Sequence, residues 1–166
     1  RQCFWCRAAQ FLWHHNVGRA NEIGHRKLDT QFSITTHGPT ICPIMTENMG
    51  YVQEKIKNDS DVLLLSFSVT PEIDSVEQLK KYALEKNVID SKWNLVTGNK
   101  KDIYNLARTS YLVAKTNGDG GKYDMIHTEN FVLVDKEKRI RGFYDGTNSK
   151  EMDQLLNDIK ILKNSY

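Results

Sequence analysis

The sequence predicts an α/β domain, with a mostly parallel central sheet and an antiparallel hairpin near its C-terminal end. Three observations carry that prediction. From residue 31 onward, strand-like and helix-periodic stretches alternate. Val62–Val69 (VLLLSFSV) is apolar almost throughout, as in a strand covered on both faces. Asn130–Asp135 (NFVLVD) and Arg139–Asp145 (RIRGFYD) flank Lys136-Glu137-Lys138, the spacing of a hairpin.

Taken in order, Gln31–Thr36 (QFSITT) is rich in β-formers and reads as a strand. Ile44, Met45, Met49, Val52 and Ile56 recur at helical spacing, so a helix is expected over 43–58. Pro43 takes its first position, where a missing N–H costs nothing. As members of this stripe, Met45 and Met49 belong to the core rather than to a metal site. Ser75 with Gln78 makes a capping box that opens a helix through about Lys86. Trp93–Thr97 is a short strand, and Asn99 caps a helix with Ile103, Leu106 and Ala107 inward. The glycine-rich Thr116–Tyr123 lacks the GxxxxGK[ST] spacing of a phosphate cradle and reads as flexible backbone. After the hairpin, Asn148 or Ser149 caps a last helix whose inward stripe is Met152, Leu155, Leu156, Ile159 and Leu162. The order β-α-β-α-β-α-β-β-α demands right-handed crossovers. It is the layout of a thioredoxin-like, three-layer α/β/α domain, expected over residues 32–166.

At 166 residues the chain is long enough for a core without covalent staples. A formal net charge of +2, with lysines interleaved among acids, gives no reason to expect nucleic acid as a partner. Cys3, Cys6 and Cys42 do not make a disulfide framework. No apolar run approaches the roughly 18 residues of a membrane span, and no signal peptide is visible. The sequence begins at Arg1, which is compatible with an upstream anchor or signal.

In open α/β sheets the working end lies beyond the carboxyl ends of the parallel strands. Cys42 falls there, between the first strand and the first helix. Unpaired N–H groups and the helix dipole at such a junction favour a thiolate, which binds metals and attacks disulfides. Two chemistries therefore stay open for Cys42: metal ligand, or nucleophile of a thiol–disulfide oxidoreductase or peroxidase. An inert packed cysteine is the third reading. No resolving cysteine lies near Cys42 in sequence, which counts against the nucleophile. His127, in the segment entering the fourth strand, reaches Cys42 if the long loop before it folds back.

Several motifs in order then resemble one family: PTICPIMT from Pro39, LLLSFSVTPEID, WNLVTGNKKDIYNLAR, Ile126-His127-Thr128 and FVLVDKEKRIRGFYDGTN. Over about residues 39 to 163 the chain resembles the Sco/SenC proteins, thioredoxin-like copper-binding proteins of cytochrome c oxidase assembly. The resemblance implies a metallochaperone rather than an enzyme. It implies a copper site of two cysteines in CxxxC and one distant histidine, with Cys42 as the second cysteine and His127 as the histidine. Soft thiolates suit Cu(I), and imidazole accepts either oxidation state. Asp74 resembles an acidic position near the site, although the family's DPxRD reads TPEID here. An extracytoplasmic or periplasmic, membrane-anchored location is also implied. The implied partner is the copper-binding subunit of the oxidase or another copper carrier.

Gly38 stands where the first cysteine of CxxxC belongs. The site so inferred is degenerate, one thiolate and one imidazole, with weaker copper binding expected. A reversible Cys–Cys cycle within this motif is excluded. The adjacent His37 reads as structural. Residues 1–31 do not match the family pattern, and disorder or an out-of-frame origin is expected for them. A single-base slip at the His37-Gly38 codons would account for both the absent cysteine and the unfamiliar upstream text. Cys3-Phe4-Trp5-Cys6 with His14-His15 misses zinc-finger spacing, and no strand precedes it as in redox CxxC motifs.

Overall fold

The computed structural model describes residues 28–34, 41–112, 118, 120–121, 123–126 and 128–166. Its elements are β1 (Leu28–Ile34), α1 (Ile41–Ile56), β2 (Val62–Ser68), α2 (Val76–Glu85) and β3 (Trp93–Val96), then α3 (Lys100–Thr109), β4 (Asn130–Val134), β5 (Ile140–Asp145) and α4 (Ser149–Lys163). The strands form one sheet in the order β3-β2-β1-β4-β5. β1, β2 and β3 run parallel, with Leu28 opposite Val62 and Leu64 opposite Trp93. β4 is antiparallel to β1, and β5 to β4. The expected α/β architecture is present, with both antiparallel strands on one side of β1.

β1 begins at Leu28, three residues ahead of the expected Gln31, and so crosses the boundary drawn at 31/32. Asp29 weakens the sequence signal, but pairing on both sides holds the segment extended. Thr35 and Thr36 of the expected strand lie outside the described residues. α1 begins at Ile41 rather than Pro43, which puts Cys42 inside its first turn. Pro43 is still tolerated, because the opening amides of a helix have no intrahelical acceptor.

Alternation along the strands separates two cores. Phe131 and Leu133 pack with Met45, Met49, Val52 and Ile56 of α1, Tyr82 of α2 and the stripe of α4. Val132 and Val134 face the opposite side, against Tyr111 and Leu106. Near them Ile103, Tyr104 and Ala107 of α3 pack with Val69 and Ile126. The layers are therefore α1, α2 and α4, then the sheet, then α3. β2 is buried from both sides, which is why its run is so apolar.

The caps follow the sequence. Ser75 Oγ accepts from the Gln78 amide, and Asn99 Oδ1 from those of Lys101 and Asp102. Of the two candidates for α4, Asn148 is the cap, accepting from the Lys150 amide. Met45 and Met49 are fully buried core side chains. Leu106 is only partly buried, whereas Tyr104, which the apolar pattern of α3 did not select, is wholly buried.

Candidate functional site

The three parallel strands finish at Ile34, Ser68 and Val96. β4 runs the other way, so its first residue, Asn130, enters at this same end of the sheet. α1 starts here too, with Cys42 in its opening turn as a free, half-buried thiol. That turn carries no acidic side chain to oppose a thiolate.

One turn beyond Cys42, the buried Thr46 hydroxyl lies 2.8 Å from the Tyr82 hydroxyl of α2. Burial pushes the Tyr82 phenol above its ordinary pKa, and the Thr46 hydrogen bond opposes this. Asp74 is fully buried just past the carboxyl end of β2. Its Oδ2 accepts from Ser68 Oγ at 2.6 Å and Thr70 Oγ1 at 3.0 Å. Thr70, a departure from DPxRD, therefore supplies part of what holds this carboxyl. Ile73, the other departure, points outward and is 54% exposed.

On the opposite face of the sheet, α3 grips the segment ahead of position 127. Tyr104 Oη donates to the Val69 carbonyl at 2.7 Å and accepts from the Ile126 amide at 3.5 Å. The Arg108 guanidinium meets Asp124 with two parallel bonds, of 2.8 and 2.7 Å. That fork, aided by the Gly120 amide, holds the Asp124 carboxyl below its ordinary pKa although burial works in the opposite direction.

His127 lies outside the described residues, as do His37, Gly38, Cys3 and Cys6. Its neighbours Ile126 and Thr128 are described; Ile126 is buried beside Val69, which follows β2 directly. Among the described residues no three His, Cys, Asp or Glu side chains gather as a metal-binding group. Cys42 fits a soft metal as a single donor. The sequence did not single out Thr46, Tyr82, Tyr104, Arg108 or Asp124. The only signal available was polarity inside otherwise apolar helical stripes, at Thr46 and Tyr104.

A model of the SCO1/SenC family matches residues 24–163. The chain belongs to the SCO1/SenC family. The match takes in β1 and so begins upstream of the resemblance read from residue 39. A Bacillus subtilis SCO1 homolog is 34% identical over 131 residues, covering 76% of this chain and 66% of the relative. The chain thus spans just under two thirds of that relative's length. Two solved Sco structures share the thioredoxin-like fold. A SCO1/SenC lipoprotein from Bacillus anthracis is 28% identical, with a TM-score of 0.73 over 86% of this chain and 85% of that one. Arabidopsis thaliana ScoI, solved with copper bound, is also 28% identical, with a TM-score of 0.66 over 87% and 88% of the two chains.

Proposed function

We propose that this Sco/SenC protein handles copper as a cargo ion in cytochrome c oxidase assembly, with Cys42 and His127 as its ligands. One observation carries the reading: the free Cys42 thiol is partly exposed at the sheet end where β4 also begins, and His127 precedes β4 by three residues in sequence. Family membership supports copper and oxidase assembly, and the Arabidopsis relative holds copper in its structure. With Gly38 in the place of the first cysteine, the site is degenerate and releases copper more readily than a three-ligand site. The copper donor or acceptor is an oxidase subunit or another carrier. An extracytoplasmic, membrane-tethered location accords with the lipoprotein relative. Among the described residues no helix is long and apolar enough to cross a membrane.

Competition with a chromophoric Cu(I) chelator tests the assignment. Cys42→Ala and His127→Ala should each weaken Cu(I) binding, and intact affinity in both removes the copper reading. Turnover of a small disulfide or peroxide, lost in Cys42→Ser, would favour a thiol enzyme instead.

A further inference from the structure

Two side chains of α3 reach out of their helix to hold the backbone just ahead of position 127. Tyr104 is wholly buried, and its hydroxyl bridges the Val69 carbonyl at 2.7 Å and the Ile126 amide at 3.5 Å. One bond fastens it to the end of β2, and the other fastens the incoming loop to it. Four residues along α3, Arg108 grips Asp124 through both terminal guanidinium nitrogens. A third bond, from the Gly120 amide at 2.7 Å, closes the loop on the same carboxylate. The two anchors brace each other, with the Arg108 guanidinium 5.5 Å from the Tyr104 ring centroid. Both members of the ion pair are largely buried, so solvent screens it less than a surface pair.

We propose that Tyr104 and Arg108 are positioning residues for His127: by holding Ile126 and Asp124 they set where the chain enters position 127, at the sheet end that carries Cys42. The inference rests on the copper reading for its metal-binding consequence. Each residue extends the chain by at most about 3.5 Å, so an anchor at 126 bounds how far from it the next position can lie. A two-donor site has no third ligand to compensate for a misplaced imidazole. Ordering that imidazole in advance reduces the entropy lost on binding. Lysine at 108 would keep the charge but not the planar fork that fixes the orientation of Asp124.

Cu(I) supplied from a competing chromophoric chelator to the full chain is the probe. Tyr104→Phe removes one oxygen and leaves the ring, so it retains the packing of the cluster. Arg108→Met removes the fork while keeping an apolar stem. Each should lose about 10–100-fold in Cu(I) affinity, the range met when the outer support of a metal ligand is removed. Arg108→Lys should recover part of that loss. Neither change should add a further loss in a His127→Ala background, because the ligand it places is already gone. Wild-type affinity in both variants, or losses that add to His127→Ala, overturns the proposal and leaves a purely structural clamp. A second readout needs no metal. The His127 ring resonance, assigned by its disappearance in His127→Ala, should move in Tyr104→Phe and Arg108→Met and return toward its original position in Arg108→Lys. If His127→Ala itself leaves Cu(I) affinity intact, the copper reading fails. The resonance then decides this inference alone, and an unmoved signal in both variants overturns it.

Discussion

The hydroxyls of Thr46 and Tyr82 lie 2.8 Å apart inside the protein and join α1 to α2 one turn beyond Cys42. Neither group is near bulk water, so removing one strands the other without its partner. Tyr82→Phe and Thr46→Val should each lower unfolding free energy by about 1 kcal/mol in urea titrations. The double variant should cost less than the sum, because no polar atom is then left behind. Strict additivity would show that the two hydroxyls do not depend on each other.

Gly146 is held against the ring of Phe131. A Cβ at 146 would overlap that ring and come within 2.9 Å of the Glu129 carbonyl oxygen. The Gly146 amide already donates to the same oxygen at 2.7 Å, and Asn48 Nδ2 donates to the Gly146 carbonyl at 2.7 Å, so the backbone has little room to retreat. Gly146→Ala should destabilise by about 1–3 kcal/mol, the usual cost of overpacking. Phe131→Leu in the same chain should recover part of the penalty. An unchanged thermal midpoint for Gly146→Ala alone would contradict the close approach.

Asp135, at the hairpin, is held at a pKa of about 2, below its ordinary 3.8. Burial alone would raise it, but the amides of Arg139 and Glu137 and the guanidinium groups of Arg139 and Arg141 together overcome that effect. A depressed carboxyl stabilises the fold above its unfolded pKa and loses that contribution as the group protonates. Stability should therefore fall as pH drops from about 4 to about 2, by roughly 1–2 kcal/mol once the exposure of the two arginines is allowed for. Asp135→Asn should remove this component of the acid dependence. Denaturant midpoints across that pH range provide the check.

Gly38→Cys restores the spacing CxxxC around Cys42. Adding a second thiolate should raise Cu(I) affinity by about tenfold or more, a gain of about 1.4 kcal/mol or greater. The gain should vanish when Cys42→Ala is added. Equal affinities for the wild-type chain and the Gly38→Cys variant would mean that position 38 does not face the copper site.

Much of the architecture was legible in the residues. Apolar spacing marked α1 and α4, with Met45, Met49, Val52 and Ile56 on one inward stripe and Met152, Leu155, Leu156, Ile159 and Leu162 on the other. Short-range capping chemistry located three helix starts, at Ser75, Asn99 and Asn148. β1 was less legible: Leu28–Gln31 extends because β2 pairs with all of it and β4 with Asp29, Thr30 and Gln31, and that information lies in distant strands. Of the candidate site, Cys42 was visible at its strand–helix junction. Its surroundings were not. Thr46 meets Tyr82 across 36 residues, and Arg108 meets Asp124 across 16 with a loop between them.

What the sequence determined by itself is the alternation of elements, their caps and buried faces, and the family to which Cys42 and His127 are referred. Those properties arise from neighbours within a turn or a strand, and from motifs that keep their order along the chain. Only the tertiary structure decided which polar groups become partners: Thr46 with Tyr82, Asp74 with Ser68 and Thr70, Tyr104 with Val69 and Ile126, Arg108 with Asp124. The physical reason is that burial obliges each such group to find a hydrogen-bonding partner, while the sheet order β3-β2-β1-β4-β5 determines which distant segment stands close enough to supply one.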